Sequence, residues 1–268
     1  MDNTQQPGGG QNPDPQRGSS YEAAARPSRR GLYTVVAVLV LLTAAAFIVR
    51  SDLFRVWKKA EVIGLVDYDA DWVLSLAGIS EETTYFGVSE KKIAAGIARD
   101  RYLVYHDYEK IWPDRLTLWV TERVPRVNFI YHGVQYVLAG DGMVLESSTA
   151  LNLANGCVKL TLSGVRDVRV GEKVMFQSDE QLRAMQSLLE ELELQGVLGK
   201  LSELNLYDLD NIYLVTLDGY TANIGRAEEL RAKIGTVRAV VAELRRRGLW
   251  GGIIEATVPG QASYRSPD

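Results

Sequence analysis

Residues 103–125 read LVYHDYEKIWPDRLTLWVTERVP. Two runs rich in β-branched and aromatic residues flank Pro113-Asp114-Arg115, a combination suited to a tight turn. The stretch predicts strands at Leu103–Ile111 and Leu116–Val124. Pro125 has no N–H to give to a ladder, so the second strand ends there.

Working back from this hairpin, Ser89 stands as an N-cap before a helix that carries Ile93, Ala94, Ile97 and Ala98 on one face. An earlier short helix starts after Asp69, carries Val73, Leu74, Leu76 and Ala77, and closes at Gly78. Before it, Val56, Lys58, Ala60 and Val62 alternate with Trp57, Lys59, Glu61 and Ile63, a period of two that predicts a strand ended by Gly64. The order is strand, helix, helix, strand, strand. Its expected core is Val62, Val73, Leu76, Ile93, Ile97, Leu116 and Leu118.

Further back, Gly31 to Val49 read GLYTVVAVLVLLTAAAFIV, with no charged residue. At about 1.5 Å per residue this run approaches the hydrocarbon thickness of about 30 Å, so it predicts a transmembrane helix at 31–49. Tyr33 suits an interface, and basic residues lie on both sides (Arg26, Arg29 and Arg30; Arg50, Arg55, Lys58 and Lys59). A short tail is the easier part to leave in the cytoplasm, and a long C-terminal domain translocates largely regardless of its charge. The N terminus is therefore expected inside and the C terminus outside. Ala44 and Ala46 offer a cleavage pattern, but Phe47, Ile48 and Val49 continue the apolar run past it. Residues 1–30 hold Gly8-Gly9-Gly10, four prolines and no aliphatic cluster, and read as a disordered tail.

Forward from the hairpin, His132-Gly133 and Asp141-Gly142 are turn pairs separating Val127–Tyr131, Val134–Ala139 and Met143–Glu146. A helix from Ser178 presents Leu182, Met185, Leu189 and Leu192, with Gln181 placed for a capping box. Strands Leu201–Tyr207, Ile212–Leu217 and Tyr220–Ile224 follow. A long helix from about Arg226 to Arg247 carries Leu230, Ile234, Val237, Val241 and Leu244, and Gly248 stops it. A last strand, Ile253 to Val258, ends at Pro259. The division expected is 54–125, 126–259 and a flexible tail at 260–268.

This order resembles the FtsQ/DivIB family of bacterial cell-division proteins. Ala60-x-Val62-x-Gly64 resembles the opening strand of a POTRA domain, and Ala77-Gly78-Ile79 stands at the expected spacing. Pro113, Glu122, Arg123 and Pro125 match the family's strand–turn–strand and its Glu-Arg-x-Pro ending. Asn223-Ile224-Gly225, Leu230, Lys233-Ile234 and Gly252-Ile253-Ile254-Glu255 resemble its closing pattern, although Glu255 stands where Asp is usual and Ala60 is smaller than expected. The resemblance implies an α+β chain: a membrane helix, a POTRA domain (β-α-α-β-β), then a larger mixed domain with a long C-terminal helix and a final strand. It implies a non-enzymatic divisome scaffold in the cell membrane at the septum. Its implied partners are FtsB/DivIC-like and FtsL-like bitopic proteins, and it would help regulate septal peptidoglycan synthesis. A membrane-anchored cell-wall enzyme and a transport-associated POTRA protein are the alternatives.

The residues themselves offer little chemistry. A net charge of −4 is unlike that of a nucleic-acid binder. A single cysteine, Cys157, excludes an intrachain disulfide and a CxxC motif, and reads as a small buried apolar residue. His106 and His132 share no zinc-type spacing. Ser89-x-x-Lys92 lacks the companion motifs of penicillin-binding enzymes. Asp67, Asp69 and Asp71 start like a calcium loop, but Trp72 and Gly78 occupy its required Gly and Glu positions. Glu190, Glu191 and Glu193 read as a solvated face. Glu122 and Arg123 point to opposite faces of their strand and read as a surface charge pair, the alternative being that one of them meets a partner or the adjacent domain. No catalytic, cofactor or metal residue is assigned.

A terminal strand often lies at a sheet edge, open to strand addition. Ile254, Ala256 and Val258 would face one side, and Ile253, Glu255 and Thr257 the other. With Tyr264 from the tail, these are the candidate partner-binding residues, and the resemblance also implies a partner contact at this end. The alternative is an edge that is merely solvated, or capped by the tail beyond Pro259.

Overall fold

A computed structural model of the chain describes residues 29–50, 54–150 and 156–267. The reading of residues 1–28 as a tail lies outside them. The chain divides into two compact units, Met1–Arg50 and Ser51–Asp268.

In the first unit, helix α1 covers Arg29–Arg50, and its side chains from 31 to 47 are exposed. Among the described residues, no helix is long and apolar enough to cross a membrane.

The second unit begins with strand β1 (Ala60–Ile63). The alternation from Val56 predicts a longer strand. Instead Trp57–Lys59 form a 3-10 turn, closed by the Lys59 N–H on the Val56 carbonyl at 3.1 Å. Helix α2 (Ala70–Leu76) follows, capped as expected: the Asp69 carboxylate accepts from the Trp72 N–H at 2.9 Å. Helix α3 (Glu90–Ile97) has Ser89 at its N-cap position, without a side-chain capping bond. Strands β2 (Leu103–Ile111) and β3 (Arg115–Glu122) complete a three-stranded sheet of order β1-β3-β2. β1 runs parallel to β3, and β2 antiparallel to it. Val73, Ile93, Ile97, Leu116 and Leu118 are in the core, but Leu76 and Val62 only pack against it. In α2 the buried residues are Val73 and Leu74, so the helix is rotated from the phase expected.

Next comes β4 (Pro125–Tyr131), with Pro125 as its first residue, then β5 (Val134–Ala139) and β6 (Val144–Ser148). The β4–β5 turn is of the primed kind, with φ of 47° at His132 and 77° at Gly133. Strand β7 (Val158–Leu162) and the small pair β8 (Val165–Asp167) and β9 (Met175–Phe176) have no counterpart in the sequence reading. Helix α4 (Asp179–Leu194) is capped by Ser178, which accepts from Glu180. Gln181 does not close the capping box: it is buried, and its Nε2 donates to Ser163 Oγ at 2.7 Å.

Strands β10 (Leu201–Leu206), β11 (Ile212–Thr216) and β12 (Tyr220–Gly225) precede helix α5 (Leu230–Arg246). The helix starts later than Arg226 because Glu229 sits in the left-handed region, at φ 51°. Buried Lys233 reaches back from α5, its Nζ donating to the Arg226 carbonyl at 3.0 Å. β13 (Gly252–Val258) and β14 (Gln261–Arg265) end the fold. The nine-stranded sheet has the order β14-β13-β12-β11-β10-β7-β4-β5-β6. Met185, Leu188, Leu189 and Leu192 of α4 and Ile234, Val237 and Val241 of α5 share one core with Leu204, Leu214, Ile224 and Ile254 of the sheet.

Candidate interaction site

The last strand expected from sequence is not the edge. β14 pairs antiparallel with β13, joining Ile253 to Arg265, Ile254 to Tyr264 and Glu255 to Ser263. Residues 261–265 are therefore a strand and not a flexible tail. Their composition, Gln-Ala-Ser-Tyr-Arg, suits an edge with one solvated face. β13 is interior, running parallel to β12 on its other side. Its alternation holds where it was expected at Ile254 and Ala256, which are fully buried, whereas Val258 is 49% exposed beside a register shift.

Several contacts fasten this end. Gly252 adopts φ 98°, and a Cβ there would lie 2.5 Å from the Arg265 carbonyl oxygen. Tyr264 O–H donates to the Gly251 carbonyl at 3.1 Å, and the Gly260 N–H donates to Thr236 Oγ1 of α5 at 3.0 Å. Gln261, Ala262, Ser263 and Arg265 are exposed, and Tyr264 is half-buried. At the opposite end of the sheet, the Gly171–Glu172 loop exchanges two backbone bonds with Val144 of β6. β14 thus offers main-chain donors and acceptors in register for an added strand.

A second polar centre lies where β3 leaves the three-stranded sheet. Glu122 and Arg123 are not a surface pair; of the two readings, the alternative holds for Arg123, which meets Asp141 of the following sheet. The Glu122 carboxylate accepts from the N–H groups of Val66 at 2.7 Å, Asp67 at 2.9 Å and Tyr68 at 2.9 Å. Burial alone would raise its pKa, but the bonds from Tyr68, Val66 and Asp67 outweigh that and hold it below the usual value. Arg123 donates through Nε to Asp141 Oδ2 at 2.9 Å and through Nη1 to the carbonyls of Arg101 and Leu103, each at 2.8 Å. Gln186 of α4 donates to the Asp141 carbonyl at 2.7 Å. Tyr102 O–H donates to Glu146, and burial, then that bond and charge, push the phenol up to about 12. Sequence alone did not show this joint, because its partners lie 18 to 56 residues apart.

The remaining candidates are dispersed. His106 Nε2 is 2.7 Å from Thr121 Oγ1 on the three-stranded sheet, and His132 occupies a turn of the larger sheet. Cys157 is half-buried, and burial first, then the Glu146 charge, raise its thiol. Among the described residues, no group of three His, Cys, Asp or Glu is placed to hold a metal. Where β4 and β7 diverge after two paired residues, a cleft of about 390 Å³ opens. Its ionisable lining residues are Tyr131 and Lys159, and Lys159 pairs with Glu203 at 2.9 Å.

Residues 57–123 match the family model for the POTRA domain, FtsQ-type. No curated protein matches the chain by sequence. Among solved structures, the chain is similar to the major extracytoplasmic domain of the cell-division protein DivIB, trans isomer, from Geobacillus stearothermophilus. The identity is 18% and the TM-score 0.30, over 47% of this chain and 97% of that one.

Proposed function

We propose, for a chain that carries the FtsQ-type POTRA domain of the FtsQ/DivIB family, that it is a non-enzymatic scaffold of the division septum. The domain match carries this reading. The arrangement favours a POTRA domain over residues 54–125 and a second domain over 126–259, since two separate hydrophobic cores underlie the three-stranded and nine-stranded sheets. In this reading, α1 anchors the chain in the cell membrane, with the N terminus in the cytoplasm and the folded unit outside. The apolar run at 31–49 supports the anchor. The partners are FtsB/DivIC-like and FtsL-like bitopic proteins, and tethering them in one membrane raises their effective concentration without new contacts. The effect on septal peptidoglycan synthesis is then regulatory.

The docking site in this reading is the β13–β14 end, with Ile253, Ile254, Glu255, Ala256, Thr257, Val258 and Tyr264 as its candidate residues. Because β14 covers β13, the incoming strand pairs with β14, while β13 shapes the surface beneath it. Consecutive N–H groups of a strand point to opposite sides. Of Ala262→Pro and Ser263→Pro, one therefore removes an outward donor and leaves the β13 ladder intact. That variant should stay folded by circular dichroism and lose its partners in co-purification from membranes, with captured chains identified by mass. Unchanged capture by both folded variants would place docking elsewhere. Failure of the wild-type chain to capture any bitopic division protein would overturn the scaffold reading itself.

A further inference from the structure

Three elements bring aromatic rings to one end of the three-stranded sheet. The segment entering the unit pairs with the α2–α3 loop: the Val56 N–H donates to the Thr83 carbonyl at 3.0 Å, and the Tyr85 N–H to the Phe54 carbonyl at 2.7 Å. Phe54 then meets Phe86 at 5.7 Å and Trp112, from the β2–β3 turn, at 6.3 Å between ring centroids. Tyr85 packs edge-on against Phe86 at 5.5 Å. Phe54 is only 7% exposed, but Phe86 is 60% and Trp112 67% exposed. Loop and turn tips ordinarily carry polar residues, so clustered exposed rings there mark a contact surface.

Charge around the rings is mixed, with its acids partly answered. Lys110 Nζ lies 5.0 Å from the Tyr85 centroid, and Lys58 and Arg115 are exposed. Asp114 is held by Lys59 at 2.5 Å. Glu81 and Glu82 are exposed in the α2–α3 loop. Only residues 51–53 separate α1 from Phe54. Four residue steps reach at most about 14 Å, so covalent connection keeps Phe54 close to any bilayer that holds α1.

We infer that the Phe86–Trp112 patch seats on the head-group surface of an anionic bilayer. The inference rests on the reading of α1 as a membrane anchor. Trp and Phe fit the boundary between acyl chains and head groups, where an apolar ring is buried and the indole N–H stays wet. Lysine and arginine stems extend from such a patch toward lipid phosphate. A seated patch fixes the orientation of the unit over the membrane.

The test uses the full chain in nanodiscs of phosphatidylcholine and phosphatidylglycerol, with Cys157→Ser and single fluorophores placed through Val40→Cys, Ile111→Cys or Leu217→Cys. The quenchers are lipids spin-labelled near the end of the acyl chain for the label at 40, which the anchor reading puts at mid-bilayer, and near the head group for the labels at 111 and 217. Labels at 40 and 111 should be quenched, and the label at 217 should not. Replacing Phe86 and Trp112 together by serine should weaken the seating equilibrium about tenfold or more and release the label at 111, leaving 40 unchanged. Quenching at 40 but not at 111 overturns the inference alone. Absence of quenching at 40 overturns the anchor reading, and the inference with it. A label at 111 that changes its emission only when other membrane proteins are added identifies a protein-binding patch and also refutes the inference.

Discussion

Replacing Glu122 by alanine removes one carboxylate that accepts from three consecutive backbone N–H groups, those of Val66, Asp67 and Tyr68. Bonds to a charged acceptor contribute about 1.5–3 kcal/mol each when the freed donor stays dry. Here Val66 is 84% exposed, so water replaces much of what is lost. The geometry resembles a helix N-cap, whose removal costs about 0.5–2 kcal/mol, and a loss of about 1–2 kcal/mol is expected. The pH dependence follows from the direction of the shift. A carboxyl held below its usual value in the fold stabilises fully above its unfolded pKa, about 4.3 for Glu. That contribution disappears as the pH falls through the lower, folded value. Urea denaturation of the unit Ser51–Asp268 would be followed for wild type and Glu122→Ala at neutral pH and at about pH 3. The gap between them should shrink in acid. A gap of the same size at both pH values, or none at neutral pH, would refute the role given to the carboxylate.

Three further outcomes are expected. Leu74→Ala should cost about 2–5 kcal/mol and Leu76→Ala clearly less, since Leu74 is 2% exposed and Leu76 only half-buried; equal losses in urea melts would contradict the observed rotation of α2. Gly252→Ala should destabilise by more than about 1 kcal/mol, because a Cβ at φ 98° meets Arg265, and amides 261–265 should exchange faster with solvent. If the chain is the scaffold proposed, His106→Ala and His132→Asn, the latter tolerant of positive φ, should complement its loss as wild type does at equal abundance; a folded, abundant variant that fails to complement would revive an enzymatic role.

Local pattern made the hairpin at 103–125 and the stripe of α5 legible, because their periods are set by burial along a single element. Distant partners decided the rest. The 3-10 turn at Trp57–Lys59 imitates a strand in its alternation, yet the ladder with β3 begins only at Ala60. β14 carries almost no β-branched or large apolar residue, since it is an outer strand with exposed side chains, so composition does not mark it. Gln181 sits at capping-box spacing but is drawn inward by Ser163, from a loop that sequence cannot place beside it. At the interaction site, the alternation of Ile254 and Ala256 was readable and capping of β13 by the tail was an open alternative, but that the tail forms a strand was not readable. Glu122 and Arg123 stood out as a motif, but their acceptors and donors are set by the way β3 meets β1, β2 and the following sheet.

Only Arg123 and Val124 separate β3 from β4, and the Arg123 side chain is itself held by three bonds. Such a short link has no slack to take up tension. A pull entering at the Ala60 end of β1 and leaving through Arg123 would act on opposite ends of two parallel strands. The four residue pairs joining β1 to β3 would then be loaded together, in shear, instead of opening one after another. Under stretch, the three-stranded sheet would behave as a bolt and not as a zip.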